Sequence, residues 1–335
     1  MRVAVLGAGA VGARAVRQLA SSTEVDEVAV ADRLPERAER VAAAVAQPAR
    51  VVARGDDRWW LGADVAVLAC SPGQHPQFAH RLLGSGASVI SVSDDVEDVE
   101  GLLALDAEAR QEGMTVVAGA GFAPGLSCVL AAHAGALFDQ VEEVHVAKVG
   151  TGGPACARAH HRALGAESVD WRDGSWLRRG GGSGRELCWF PEPAGAQDCY
   201  RSAAPDALLL VPAFPGVARA TARVGASRRD RLTTHLPMLR RPHPEGRLGA
   251  VRVEVRGRRG EARDTAVLGA VDRPAVAAGA VAALAAVALG QGRLARTGAG
   301  GLAELADPVE LLSELARRGV KAAAFDGTGR SDRHQ

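Results

Sequence analysis

The twelve N-terminal residues constrain this chain more than any other stretch. An apolar run, Val3-Ala4-Val5-Leu6, leads directly into Gly7-Ala8-Gly9-Ala10-Val11-Gly12, and the segment from Ala13 to Ala20 carries its apolar side chains at helical spacing. That order predicts a strand, a glycine turn and a helix, the opening unit of a parallel sheet covered by helices. Gly7 permits the tight turn. Gly9 lets a pyrophosphate approach the backbone, and Gly12 lets the helix lie close to the strand with its positive end toward the phosphates. Gly7, Gly9, Ala10, Val11 and Gly12 are therefore the expected phosphate-binding residues.

A second apolar strand, Val25 to Ala31, ends at Asp32, 20 residues after Gly12. An acidic side chain there accepts hydrogen bonds from the adenosine ribose hydroxyls. Arg33 beside it is able to stack on adenine or to pair with a 2′-phosphate. The Asp32 carboxylate would repel that phosphate, so NAD is expected ahead of NADP.

Strands and helices continue to alternate. Helices are expected over Pro35–Val45, Gln74–Leu83 and Val99–Gln111, with strands over Arg50–Ala53, Asp64–Ala69, Ala87–Val92 and Met114–Ala118. Ligands of such sheets lie beyond the carboxyl ends of the strands. Cys70, Ser71 and Pro72, then Ser93, Asp94 and Asp95, then Gly119 to Gly121 are placed near the cofactor on that ground. From residue 142 the pattern changes to strict alternation, as in Val251-Arg252-Val253-Glu254-Val255-Arg256, which predicts a half-exposed antiparallel sheet. Ala275 to Leu289 has 15 residues without a charge, short of the ~20 that span a bilayer, and reads as a buried helix. Pro308 to Arg318 reads as an amphipathic helix.

The expected fold is thus α/β, a doubly wound Rossmann sheet with a second α+β domain on a mostly antiparallel sheet. Residues 1–122 would form the dinucleotide-binding domain and 123–270 an inserted domain for substrate and subunit contacts. Residues 271–325 would return as helices to the Rossmann part, ahead of a frayed tail at 326–335. The length of 335 residues suits two cores. Five cysteines without a C-x-x-C pair signal neither a disulfide framework nor a metal site. With strand residues following Met1-Arg2 there is no room for a signal peptide, and a cytoplasmic protein is expected.

The run Gly119-Ala-Gly-Phe-Ala-Pro-Gly-Leu-Ser127, after a Rossmann-type half of this length, resembles the saccharopine dehydrogenase-like family, and within it the lysine 6-dehydrogenase type. The small-residue helix at 275–289, then Leu305-Ala-Asp-Pro-Val309, then a helix finishing at Arg318-Gly319-Val320 follow the order usual in that family. The resemblance implies oxidation or reduction of a carbon–nitrogen bond of an amino acid with NAD or NADP. It also implies that Gly121, Phe122, Ala123 and Pro124 lie by the nicotinamide. From the residues themselves, Pro124 is expected in the first turn of the helix that follows.

Hydride transfer is the cofactor's chemistry, so the protein must position the substrate and manage one proton. Lys148 shares an apolar strand face with Val144 and Val146, where desolvation would lower its pKa and suit it to acid–base work. His160 and His161 follow on a short helix. Neighbours on a helix point about 100° apart, so one at most faces a given site. Arg158 is suited to hold a substrate carboxylate through two parallel hydrogen bonds, and Asp94 to take a substrate ammonium group. Cys70 is expected to be buried and inert.

Two other readings compete. A sugar or polyol dehydrogenase of glucose-fructose oxidoreductase type shares the two-domain plan, but its Glu-Lys-Pro signature is replaced here by Ser91-Val-Ser-Asp-Asp95. A non-catalytic NAD-binding protein is the other. Residues 1–150 carry 12 basic and 20 acidic side chains and the remainder 28 and 19, so the second half would attract an anionic substrate. Residues 228–263 hold 11 arginines against four acids, yet no Phe, Trp or Tyr for base stacking. The expected partners are an amino-acid-like small molecule and a second copy of the chain as a homodimer, with no nucleic acid and no membrane. A gel-shift assay at physiological salt should accordingly show no retention of DNA or RNA.

Overall fold

The computed structural model describes residues 1–45, 50–53, 55, 58–238, 241–320 and 322–325. The tail expected to fray, 326–335, lies outside the described residues. The first sheet contains β1 (Arg2–Leu6), β2 (Glu27–Ala31), β3 (Arg50–Ala53), β4 (Val65–Leu68), β5 (Ser88–Ser91) and β6 (Thr115–Val117). The second is built from β7 (Gln140–Val149), β8 (Ser168–Arg172), β9 (Ser175–Arg179), β10 (Glu186–Trp189), β11 (Ala196–Tyr200), β12 (Arg219–Gly225), β13 (Gly249–Arg259) and β14 (Ala262–Asp272). The chain then sends β15 (Gly298–Gly300) back to the first sheet and β16 (Ala322–Phe325) to the second.

The first sheet has seven strands in the order β15-β6-β5-β4-β1-β2-β3, all parallel. The order turns back between β1 and β4, which opens a crevice above the carboxyl ends of those two strands. The second sheet has nine strands, with β10-β11-β12-β7-β13-β14-β16 in line and β8 and β9 branching from β12. Only its β7–β12 pairing is parallel. This is the expected α/β architecture with a mostly antiparallel second sheet.

Two strands were absent from the expectation. β15 is Gly-Ala-Gly, too short and too small to show a period, and β16 falls in a stretch expected to be helical. The helix expected over Val99–Gln111 is two helices, Val96–Leu103 and Asp106–Gln111. Asp95 starts the first by accepting from the N–H groups of Glu97 and Asp98. Asp106 is held elsewhere, since its Oδ1 accepts from the Ala299 N–H at 2.8 Å and from Arg296 at 3.2 Å.

The helix Leu126–Gly135 ties the sheets together. It packs on β7, β13 and β14 and also on the helices Leu302–Leu305 and Pro308–Arg317, so its residues are apolar nearly all round. The helix Pro274–Gly290 is buried along most of its length against Ala10–Ala20. Among the described residues no helix is long and apolar enough to cross a membrane. Leu130, fully buried in the tying helix, tests the arrangement. Leu130→Ala should cost about 2–5 kcal/mol, seen as a lower urea midpoint at unchanged slope.

Candidate functional site

The glycine turn has the shape its sequence demands. Gly7 sits at φ +106°, and a Cβ there would meet the Ala69 carbonyl oxygen at 2.5 Å. A Cβ on Gly12 would collide with the Gly7 carbonyl oxygen, so the helix Ala10–Ala20 packs directly on the turn. At Gly9 nothing lies within 4 Å of such a Cβ. The helix has no side-chain cap, so the backbone donors at Ala10, Val11 and Gly12 face that open space. Asp32 braces the turn from below. Its Oδ2 accepts from the Ala8 N–H at 2.7 Å and its Oδ1 from the Leu34 N–H at 2.9 Å. Each oxygen keeps acceptor capacity for a ribose hydroxyl. Arg33 is exposed beside it.

At the ends of β4 and β5 a buried polar network occupies the expected cofactor wall. Ser71 is exposed and Pro72 half-buried. Cys70 lies inward, its Sγ 3.4 Å from His75 Nε2, and burial pushes its thiol up to about 12. It is a protonated packing residue. His75 is fully buried and its Nδ1 lies 2.8 Å from Ser91 Oγ, with desolvation lowering its pKa. Asp98 collects the rest: its Oδ2 accepts from the Ser93 hydroxyl at 2.7 Å and the Gly73 N–H at 3.0 Å, and its Oδ1 from the His75 N–H at 3.3 Å. Ser93, expected near the cofactor from its place beyond β5, has its hydroxyl bound to Asp98.

The segment 119–127 closes on itself. The Gly121 N–H donates to the Pro124 carbonyl at 2.9 Å and the Leu126 N–H to the Gly121 carbonyl at 3.0 Å. Pro124 follows a cis peptide and precedes the helix, which starts at Leu126 behind Gly125. Its expected place in the first helical turn is therefore corrected. Gly121, Phe122, Ala123 and Pro124 are all buried.

Lys148 reaches this segment from the second sheet. It is 8% exposed, and its Nζ donates to the Ala123 carbonyl at 2.7 Å and to Asp94 Oδ2 at 3.2 Å. The lowered pKa expected from desolvation is corrected. Burial does push it down, but the Asp94 carboxylate, helped by Cys156 and Asp206, outweighs that and holds Lys148 above the ordinary lysine value. Lys148 is an ammonium. Cys156 lies near the same carboxylate, and burial pushes its thiol up to about 11. Asp206 is fully buried, accepts from the Ser127 hydroxyl at 2.6 Å, and is raised by desolvation against the pull of Lys148.

Lys148, Asp94, His160 and Val224 line a cleft of about 100 Å³. Burial, and then the Lys148 charge, push His160 down to about 4, so it is neutral at physiological pH. Two expected site residues are not brought here. His161, about 100° round the helix Pro154–Ala163, is turned to the Leu236 carbonyl, 2.9 Å from its Nε2. Arg158 is exposed and outside the cleft, where Arg162 stands instead. Among the described residues no group of three His, Cys, Asp or Glu is placed to hold a metal ion. Sequence reasoning missed Asp98, His75, Cys156, Ser127 and Asp206. Asp206 did carry a signal, as a lone acid heading the apolar run Ala207-Leu-Leu-Leu210.

Comparisons with known proteins agree with this fold. Residues 3–117 match the family model of the saccharopine dehydrogenase NADP binding domain. Glutamyl-tRNA reductase of Halobacterium salinarum is 44% identical over 75 residues, 22% of this chain, and the match spans only 17% of that protein's length. Among solved structures, saccharopine dehydrogenase (L-Glu forming) of Saccharomyces cerevisiae has a TM-score of 0.67 at 14% identity, covering 97% of this chain and 100% of that one. Homospermidine synthase of Legionella pneumophila, solved with NAD, has 0.66 at 12% identity, covering 100% and 93%. The C. glutamicum DAP dehydrogenase has 0.51 at 15%, covering 95% and 98%. At these identities the likeness is one of fold.

A titration tests the cleft. His160 drops from 6.5 to about 4 on folding, so the unfolded chain binds the extra proton first. Its contribution is fully present above pH 6.5 and is lost as pH falls from there to about 4. Melting curves across that window should flatten in His160→Gln relative to the parent.

Proposed function

We propose, from a chain whose residues 3–117 match the family model of the saccharopine dehydrogenase NADP binding domain, that the protein is a nicotinamide-dependent oxidoreductase. In this reading it moves a hydride between the nicotinamide and a carbon–nitrogen bond, amine or imine, of an amino-acid-like small molecule. The observation that carries the reading is the buried Lys148 ammonium, bound at once to Asp94 beyond β5 and to the Ala123 carbonyl. It joins the cofactor sheet to the substrate sheet where the reacting atoms would meet.

The bound cofactor supplies the hydride acceptor or donor. Gly7 to Gly12 and the uncapped helix would hold its pyrophosphate, Asp32 its adenosine ribose, and Gly121 to Pro124 the side of its nicotinamide. Asp32 favours NAD over NADP, because its two oxygens suit free hydroxyls and repel a phosphate. At the substrate, Lys148 Nζ holds the proton that the nitrogen takes up when carbon receives the hydride. Asp94 holds that lysine in place; in the opposite direction it takes the substrate ammonium group, and Lys148 as the free amine takes back the proton that the nitrogen releases. His160, neutral beside them, accepts a hydrogen bond from the amine. Lys148 is buried and Asp94 and His160 are half-buried, which restricts water at the exchange.

Residues 1–122 then act as the cofactor domain, 123–270 as the substrate and subunit domain, and 271–325 as the returning part, in a cytoplasmic homodimer. Two measurements test the reading. Asp32→Ala should weaken NAD binding about tenfold or more by calorimetry; unchanged affinity would remove its ribose role. Lys148→Met should lower turnover about a hundredfold or more with an unchanged NAD Kd. Turnover is followed as reduced-nicotinamide absorbance over a panel of amino acids, and a full-rate variant eliminates Lys148 as the proton carrier.

A further inference from the structure

Four buried side-chain polar atoms find no hydrogen-bond partner among the described residues: His133 Nδ1, Ser168 Oγ, Arg201 Nε and Ser202 Oγ. Arg201 Nε does face the Asp170 carboxylate, at 3.5 Å. Of the four residues, Ser202 alone lines the Lys148 cleft. It is 1% exposed. Leaving a buried hydroxyl unpaired is costly, so one that persists beside a reaction site is evidence of a group that binds there in use.

The backbone around Ser202 is held while its hydroxyl is not. Ser202 lies two residues beyond Tyr200, past the end of β11. The Arg201 N–H donates to the Ser183 carbonyl at 3.0 Å, and the Ala203 N–H to the Ala163 carbonyl at 3.0 Å. These bonds seat Ser202 beside the helix Pro154–Ala163, across the cleft from the charged pair Asp94 and Lys148. Serine has one side-chain torsion with three staggered positions, so a single rotation brings the oxygen to the cleft that the residue lines. Around it stand Ala159, Ala163, Ala203, Ala204 and Val224, whose side chains offer no hydrogen bond. The cleft, about 100 Å³, has room for roughly three waters at ~30 Å³ each. A short fragment is therefore enough to touch Lys148 at one end and Ser202 at the other.

We propose that Ser202 binds the substrate through its hydroxyl, which hydrogen-bonds an uncharged polar group, a hydroxyl or a carbonyl, carried a few bonds from the nitrogen that Asp94 and Lys148 hold. The proposal rests on the reading of Lys148 as the reaction site and adds what else the reacting molecule carries: it is a short amine or imine with a neutral oxygen function. A carboxylate suits this end of the cleft less well. It would meet one hydroxyl among methyl groups, too few donors to replace its water; Arg162, at the rim, is itself exposed to water. An analogue with a methyl group in place of the oxygen would leave the Ser202 hydroxyl buried and unpaired, which is how a polar pocket rejects an apolar isostere.

Calorimetry of the full chain loaded with NAD, titrated with ethanolamine and separately with propylamine, tests this without turnover. The two amines have equal numbers of non-hydrogen atoms and differ by a hydroxyl against a methyl group. Wild type should bind ethanolamine about tenfold or more tighter than propylamine, and Ser202→Ala should bind the two within about twofold of each other. Without ligand, Ser202→Ala should melt with the parent or above it, since the hydroxyl it removes has no partner in the fold. A hydroxyl that serves the fold instead would lower the melting temperature of that variant by several degrees. No binding of ethanolamine by wild type, equal binding of the two amines, an unchanged preference in Ser202→Ala, or that lowered melting temperature each overturns the proposal. A protein that tells the two amines apart through Ser202 yet moves no hydride between nicotinamide and a panel of amines and imines overturns the reaction reading and leaves Ser202 as a binding residue.

Discussion

Lys148 is a charge taken out of water, and its partners come from the far side of the molecule. Desolvating an ammonium costs on the order of several kcal/mol unless good partners replace the water. Here they are Asp94 Oδ2 and the Ala123 carbonyl, neither on the lysine's own sheet. The charge is tolerable only when the two sheets meet in this one way. Sliding β7 by one residue would turn Lys148 to the opposite face and leave Asp94 without its cation. The domain junction is thus set by an ion pair at its centre as well as by the apolar helix Leu126–Gly135 beside it.

A second buried carboxylate does comparable work without a counter-charge. Asp98 is satisfied by a hydroxyl and two backbone N–H groups. Hydrogen bonds to the charged form offset its desolvation. It clamps the turn after β4 to the turn after β5, and His75 fills the space between them. The two crevice walls are rigid because their polar groups are already bound to each other, which leaves the glycine turn as the open face of the nucleotide site.

Local features were legible in the sequence and relational ones were not. The first six strands, the glycine turn and Asp32 follow from apolar periods and fixed offsets. β15 has no period to find in three small residues. The charge state of Lys148 was misjudged because its partner stands 54 residues away; desolvation is visible from a strand face, but the carboxylate opposing it belongs to another sheet. Arg158 and Arg162 lie one helical turn apart, and only the seating of the helix decides that Arg162 reaches the cleft. Asp206 and Ser127 are 79 residues apart and meet only through packing.

One of the two groups that hold Lys148 is a main-chain carbonyl, and this shapes how the protein can change over time. A backbone acceptor persists whatever side chain position 123 carries, provided the closed turn from Gly121 to Gly125 survives. Substitution at that position would leave the lysine its anchor, within the limits set by the packing around buried Ala123. Asp94 has no such latitude, since its carboxylate is the only charge that contacts the ammonium directly among the described residues. The site therefore combines one anchor that a change of side chain at position 123 leaves in place with another that a single substitution would remove. New substrates would be acquired around the first without disturbing the second.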